Sequence, residues 1–295
     1  MANLKAIRIR LTSVKSTRQI TSAMKMVAAA KLRKAQDRIV QLRPYAEKLH
    51  EILVGLNNSL QESETENVYS PRKKVRGRVL LVIVTSNRGL CGGFNANVIR
   101  ETRRIMSEKY SAEMARGDLW FMPVGKKGSD VLKKMKCNIL EEHNDLFHNL
   151  TFTNAAVIAD KLTALYTSKE FDQIEIVYNQ FKNAAVQRLT DEIFLPVAVE
   201  TSGKETAMPT DYIYEPDQVQ IVEQLIPKSL RIQFYKAILD SFVAEHGARM
   251  TAMHQATDNA TDLIRDLTLQ YNKARQASIT NQLLEVVSGA EALKG

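Results

Sequence analysis

The sequence predicts an α/β protein in which two long terminal helices pair as an antiparallel coiled coil and flank a central α/β domain. Apolar residues recur three and four positions apart from Leu4 to Leu56, and the same spacing returns from Ile232 to Ala277. Between these segments, runs of β-branched residues alternate with helical patterns, which is typical of a largely parallel sheet. Each terminal helix is too long to bury its apolar stripe inside a compact domain, so we expect the two helices to pack against each other.

The N-terminal helix is predicted to cover residues 1–57 and to be apolar on two neighbouring faces. Besides the main stripe, Ile20, Met24 and Val27 open a second stripe. A helix with two apolar faces is expected to contact two different neighbours. Pro44 interrupts the pattern, and we expect a kink or a local break there because proline removes a backbone donor.

A polar linker is predicted at residues 58–74, because these residues show no helical spacing and end in a proline followed by a basic cluster. The central α/β domain is predicted to follow at residues 75–205. Its predicted strands are 77–86, 118–125, 171–181 and 192–199, and its predicted helices are 95–110, 128–136 and 153–168.

Residues 206–227 are predicted to connect the central domain to a C-terminal helix that covers residues 228–295. No proline occurs after Pro227, and apolar or small residues continue at helical spacing. The end of this helix is unusually apolar, with Ile279, Leu283, Leu284, Val286, Val287 and Leu293. Because chain ends normally fray in water, an apolar end of this kind predicts a partner that encloses it.

Residue types and spacing predict no catalytic site, no cofactor and no metal site. The loop at residues 85–95 follows a strand and precedes a helix, but it has neither the GxGxxG spacing nor the Lys-Ser/Thr ending of a P-loop. Residues 125–130 also lack the glycine spacing, so tight turns explain both glycine clusters better than nucleotide binding. Cys91 and Cys137 are expected to be free thiols, and the five histidines are too scattered to bind one metal ion.

The positive charge of the chain is concentrated near its beginning. The net charge is +8, yet residues 1–43 alone contain 11 Lys/Arg against the single acid Asp37. A solvated helix face would normally carry Glu and Asp in i, i+4 pairs with these cations, so their absence predicts a partner. That partner is either nucleic acid, bound by a basic coiled coil, or an acidic protein surface. A nucleotide-binding α/β enzyme is the third hypothesis that the sequence leaves open.

Three segments resemble the γ subunit family of F-type ATP synthases, and the likeness runs through the whole chain in the same order. They are residues 8–36 (RIRLTSVKSTRQITSAMKMVAAAKLRKAQ), 87–95 (NRGLCGGFN) and 249–293. The resemblance implies a Rossmann-like central domain, and paired terminal helices that form the central rotor inside a hexamer of α and β subunits. It implies further partners, the ε subunit and the membrane c-ring, and coupling of proton flow to ATP synthesis. Catalytic nucleotide sites belong to β in that family, so it also implies a non-catalytic subunit, peripheral on the cytoplasmic face of a bacterial inner membrane.

The resemblance also implies which residues contact the collar of α and β subunits. The residues at the matching motif positions are Met24, Lys25, Arg249, Arg275, Gln276 and Thr280. It places Met24 and Lys25 beside an acidic loop of β, and the other four in the upper contact regions of the shaft. The small side chains of Ala28–Ala30 would keep the helix slim where clearance is least, and methionine would adapt to changing neighbours.

Overall fold

The computed structural model describes residues 4–60, 69, 72, 77–184, 186–197 and 218–292. The elements in chain order are α1 (Leu4–Leu60), β1 (Val79–Val84), α2 (Phe94–Glu108), α3 (Ser111–Arg116), β2 (Leu119–Val124), α4 (Lys126–Lys134), β3 (Asn138–Ile139), a 3-10 turn (Leu146–His148), α5 (Phe152–Thr167), β4 (Gln173–Phe181), β5 (Gln187–Leu195) and α6 (Gln218–Ala292). Two long terminal helices therefore flank alternating strands and helices, which confirms the predicted fold class.

The chain divides into two compact units. The terminal unit consists of Met1–Ala29 with Arg249–Gly295, and the central unit of Ala30–Ala248. Each long helix contributes residues to both units. Most of the predicted linker and residues 206–217 of the predicted connection lie outside the described residues. Their boundaries remain predictions.

The sheet of the central unit has the strand order β3-β2-β1-β4-β5. The pairs β1–β2, β1–β4 and β2–β3 are parallel, and β5 runs antiparallel to β4. The parallel part has the 3-2-1-4 order of a Rossmann-like sheet, as the resemblance implied. Every residue of β1 is buried, because helices cover both faces of this central strand.

Helices lie on both faces of the sheet. Alternate residues of β1 pack with α2 and α4 in a cluster that includes Val79, Leu81, Val98, Ile105 and Leu132. On the other face, α6 packs against β5 through the Phe194 and Phe234 rings, whose centroids are 6.0 Å apart. The helix α5 lies beside α6, where the rings of Phe152 and Tyr235 meet edge to face at 5.6 Å.

Within the central unit, α6 is buried on nearly all sides. Residues 230–248 are all buried or half-buried, although the sequence pattern predicts only a stripe. One side packs on the sheet and α5, and another side meets α1, where Arg43 lies 3.7 Å from Asp240. A helix enclosed in this way buries residues around its whole circumference, so the periodicity of its apolar residues is a weak signal.

Several element boundaries differ from the predicted ones. α6 begins at Gln218, ten residues before the predicted start at residue 228, and contains Pro227. α1 runs through Pro44 without interruption as a helix, so the predicted break is wrong. α5 begins at Phe152 instead of after Thr153, because the Thr151 hydroxyl caps it by accepting a hydrogen bond from the Asn154 N–H at 3.3 Å.

The last strand also differs from its prediction. β5 covers Gln187–Leu195 instead of 192–199, and residues 198 and 199 lie outside the described residues. Its first half is polar and only partly buried, which hides it from a search for apolar runs. It ends before Pro196, which has no backbone N–H to donate to a neighbouring strand. The short elements α3, β3 and the 3-10 turn were not predicted, because they are too short to show a period.

Candidate partner-binding surface

The carboxyl ends of β1 and β4 mark the place where a fold of this kind normally binds a nucleotide. The chain leads from β1 toward β2 and from β4 toward β5, in opposite directions along the sheet. In open α/β sheets a reversal of this kind, the switch point, marks the crevice that binds a ligand. Here α6 fills that place, since Ala244 and Ala248 form a buried cluster with Cys91 and Phe94, and Phe181 packs against it. The Asn179 side chain donates to the Phe94 carbonyl at 3.2 Å and closes the space further. This packing argues against a nucleotide at the switch point.

At the glycine-rich start of α4, the N–H groups of residues 126–128 are already hydrogen-bonded within the chain. The backbone N–H of Lys126 donates to the Asn87 Oδ1 at 3.0 Å, and that of Lys127 to the Ser86 carbonyl at 3.1 Å. The N–H of Gly128 donates to the Thr85 hydroxyl at 2.8 Å. Because the chain itself satisfies the first turn of the helix, this end cannot cradle an anion.

The loop at 85–95 is likewise held by its own polar groups. The Ser86 N–H donates to the Asn95 Oδ1 at 2.9 Å, and the Asn95 amide donates to the Cys91 Sγ at 3.2 Å.

Cys91 is buried and Cys137 is half-buried, and both are free thiols, as predicted. Over the part of the chain that the structure describes, no group of three His, Cys, Asp or Glu residues could hold a metal ion. No described helix is long and apolar enough to cross a membrane.

The two helices of the terminal unit contact each other through small and polar residues. The Thr257 hydroxyl lies 2.8 Å from the Thr21 hydroxyl, and the Thr21 side chain is buried. Their neighbours at the contact are mostly apolar, with Ile7, Ala28, Met253, Ala260 and Leu267 buried. The alanines let the helix backbones approach closely, and the threonine pair adds a polar contact that favours one register. Thr21 lies in the stripe that the sequence pattern predicts, but its partner could not be read from the sequence.

Large apolar side chains remain on the outside of the terminal unit. On α1, Ile9, Ile20, Met26 and Val27 are between 58% and 66% exposed. On α6 the exposed apolar residues are Leu263, Leu269, Ile279, Leu283, Leu284, Val286 and Val287. Exposed apolar surface of this extent is typical of a protein interface. The expected apolar end of the C-terminal helix is therefore present in the described residues to Ala292.

The same surface is strongly charged on α1. Residues 4–29 contain six Lys/Arg and no acid. Arg8, Arg10, Lys15 and Arg18 are exposed, and none of them forms an ion pair with another described residue. The absence of acids from residues 4–29 leaves these cations available to an acidic partner.

The predicted contact residues all lie on the terminal unit, but the structure does not gather them into one site. Met24 and Lys25 are half-buried on α1, whereas Arg275, Gln276 and Thr280 are exposed on the last part of α6. Arg249 is only 8% exposed and engages another group of the chain itself. Contact of these six residues with a partner remains a prediction, and burial makes Arg249 the least accessible of them.

One polar site in the central unit was not predicted from the sequence. Asp240 is buried in α6 next to Arg43 of α1, and neither residue was singled out. An acid that directly follows the apolar run Ala237–Leu239 is the signal that could have found it.

Comparison with known proteins decides the family. The chain matches the ATP synthase family over residues 3–293. It is 56% identical to the ATP synthase gamma chain of Flavobacterium johnsoniae over 295 residues, which is 100% of both chains. The chain belongs to the ATP synthase gamma chain family.

Solved structures of ATP synthases contain chains with a similar fold. A chain from the central stalk and c-ring of the Tetrahymena thermophila mitochondrial ATP synthase is 27% identical, with a TM-score of 0.60 over 80% of this chain and 99% of that chain. A chain of the Euglena gracilis mitochondrial ATP synthase, in a structure of OSCP, F1 and c-ring, gives a TM-score of 0.71 at 24% identity. It covers 98% of this chain and 94% of that chain, and the likeness concerns the fold.

Proposed function

We propose that this gamma chain is the central rotor subunit of an F1Fo ATP synthase. In this role it turns within a hexamer of α and β subunits and couples proton translocation through the membrane sector to ATP synthesis and hydrolysis at β. The observation that carries the proposal is the full-length match to gamma chains together with the exposed apolar and basic surface of the terminal unit. Its further partners are the ε subunit and the c-ring, and its place is peripheral, on the cytoplasmic face of a bacterial inner membrane.

The subunit itself is proposed to be non-catalytic. Two features support this part of the proposal: α6 occupies the switch point of the sheet, and the first turn of α4 has its donors satisfied within the chain. A phosphate group would have to displace these contacts. In this proposal catalysis takes place at β, and the rotor acts on it by changing the conformation of the surrounding β subunits.

The mechanism follows from the asymmetry of the terminal unit. Its α1 segment carries six Lys/Arg and no acid, whereas the described α6 segment 249–292 has five acids and four Lys/Arg. Such a pair of helices presents a different surface to each of three surrounding β subunits. A contact that is stronger in one conformation of β than in another shifts that subunit toward the favoured conformation. Equal contacts in all conformations would shift nothing, so coupling depends on these differences.

A basic coiled coil that binds nucleic acid is the second candidate. The cations of α1 fit phosphates as well as acidic protein loops. The exposed apolar residues beside them, such as Ile20 and Val27, favour a protein partner because phosphates offer nothing to bury them.

Co-expression with the α and β subunits of a related bacterium tests the proposed function directly. We expect the chain to elute with a large α–β complex, and the complex to hydrolyse ATP while the chain alone neither hydrolyses nor tightly binds it. Elution of free chain that instead retains DNA or RNA in a salt-sensitive complex would favour the second candidate. Saturable binding of ATP to the isolated chain would contradict the non-catalytic assignment.

Replacing Lys25 by glutamate tests the predicted contact with β. Lys25 is half-buried on α1, and we expect the reversed charge to repel an acidic loop of β. The ratio of proton pumping to ATP hydrolysis in reconstituted vesicles should fall by about five-fold, which corresponds to about 1 kcal/mol of lost differential contact. Lys134→Glu is the matched control, because Lys134 is an exposed lysine of the central unit. Equal ratios in both variants would remove Lys25 from the contact surface and leave the proposed function standing.

A further inference from the structure

One carboxylate is buried in α6 without a hydrogen bond. The side chain of Asp240 is 1% exposed, and neither of its oxygens has a hydrogen-bond partner among the described residues. Its neighbours along the helix, Ala237, Ile238, Leu239 and Val243, are buried and apolar. A charged carboxylate in such a place is costly unless a cation compensates it. An apolar residue of similar size would serve packing better, so the charge calls for another explanation.

The compensating cation comes from the other terminal helix. The Arg43 Nη2 of α1 lies 3.7 Å from the Asp240 Oδ1. The same Nη2 donates to the Phe181 carbonyl, at the end of β4, at 3.5 Å. Arg43 therefore joins α1 at one point to α6 and to the sheet. Its side chain is 44% exposed, so only one partner of this ion pair is fully removed from water.

Charged groups from three elements, α1, α6 and β5, influence the carboxylate. Arg43 belongs to α1 and Lys236 to α6, and both lower the pKa of Asp240. Glu192 of β5 raises that pKa, and it accepts a hydrogen bond from the Tyr178 hydroxyl of β4 at 3.0 Å. Burial has the largest effect, and the net result of all these influences is a pKa raised from 3.8 to about 6. The carboxylate is therefore ionised at neutral pH and becomes protonated in mild acid.

We propose that Asp240 and Arg43 are positioning residues of the rotor, and that their ion pair fixes α1 against α6 and the end of β4. The pair passes torque between the two helices inside the central unit. This proposal rests on the proposed function, because torque matters only in a rotor. A general apolar contact would hold the helices together but would allow them to slide, whereas a single buried charge fixes one relative position.

The sign of the pH effect separates this role from a simple stabilising role. The folded chain binds the Asp240 proton more tightly than the unfolded chain, since the pKa in the fold lies above its ordinary value. Asp240 therefore lowers the stability of the fold as pH rises from 3.8 through about 6. Asp240→Asn should raise the urea midpoint of the chain at pH 8 and leave it nearly unchanged at pH 4. A residue that merely stabilised the fold would show a loss at pH 8.

The first experiment is a double-mutant cycle of Asp240→Asn and Arg43→Gln on the isolated full chain, followed by urea unfolding. We expect the two shifts of the midpoint to be non-additive at pH 8 and additive at pH 4, where the carboxyl group is protonated. Arg33→Gln is the control on α1, because Arg33 is exposed and has no ion pair among the described residues. Additive shifts at pH 8 would overturn the proposal, whatever the complex does.

The second experiment measures proton pumping and ATP hydrolysis together in vesicles reconstituted with the complete complex. We expect Asp240→Asn to lower the ratio of pumping to hydrolysis by about five-fold or more, although the variant chain is more stable. The wild-type ratio should fall between pH 7 and pH 5, and the variant ratio should not change with pH. A wild-type ratio in Asp240→Asn overturns the proposal and leaves the proposed function intact, whereas failure of the wild-type chain to couple at all contradicts the proposed function.

Discussion

Replacing Gly125 by alanine is expected to destabilise the protein by about 3 kcal/mol or more. Gly125 precedes α4 and has φ of +104° and ψ of 139°, a conformation that side chains rarely adopt. A Cβ atom at this position would lie 2.1 Å from the Thr85 carbonyl oxygen and 2.8 Å from its carbon. Strain in the backbone and a clash with backbone atoms therefore add to each other.

The surroundings of Gly125 leave no easy way to relieve the clash. Thr85 is buried and its N–H donates to the Val124 carbonyl at 2.8 Å. Its hydroxyl donates to the Gly125 carbonyl at 3.1 Å and accepts the Gly128 N–H at 2.8 Å. Moving Thr85 away from a new methyl group would break bonds that close the first turn of α4.

Urea unfolding of the Gly125→Ala chain measures this effect, with Gly89→Ala as the control. A Cβ atom at Gly89 would meet no atom within 4 Å, so we expect a change within about ±0.5 kcal/mol there. A similar, small change in both variants would contradict the argument from close approach. Alanine would then be tolerated equally well at Gly125 and at Gly89.

Removing residues from Leu284 onward is expected to weaken assembly with the α and β subunits by about 100-fold or more. Leu284, Val286 and Val287 are 57% to 70% exposed, so they make few contacts within the chain. Enclosing such side chains in a partner would contribute about 1.5 to 3 kcal/mol for each one that becomes fully buried. The loss of several of them corresponds to several factors of ten in affinity.

Two measurements separate this effect from a loss of folding. The free energy of unfolding of the truncated chain should equal that of the full chain, since the removed side chains lie outside its core. Titration of the α–β complex should show the loss of affinity. A full-length variant with Leu284→Ser, Val286→Ser and Val287→Ser should reproduce the loss, which assigns it to the apolar side chains and not to chain length. Normal affinity in both variants would show that the apolar end is not enclosed by the hexamer.

Much of the fold could be predicted because its signals are local. The run VLLVIV identified the central strand, and the three-and-four spacing identified both terminal helices, since each depends on residues that are near one another in the sequence. Three sequence motifs were enough to predict the gamma chain family, and the comparisons with known proteins confirm that family. The α6 start and the β5 range were wrong for the opposite reason. Pro227 lies inside α6 although proline normally marks a helix start, and the pairing of a polar edge strand with β4 overrides its low strand propensity.

The sequence by itself determined the fold class, the concentration of positive charge on α1 and the apolar end of α6. Only the tertiary structure decided whether the central unit has an open crevice for a ligand and which distant residues contact each other there. The crevice beside β1 is closed by Ala244 and Ala248, which are more than 150 positions away from Cys91 in the same cluster. Arg43 meets Asp240 across nearly 200 positions. Contacts at such separations arise from how whole elements pack, and no spacing in the sequence encodes the distance between two atoms that packing brings together.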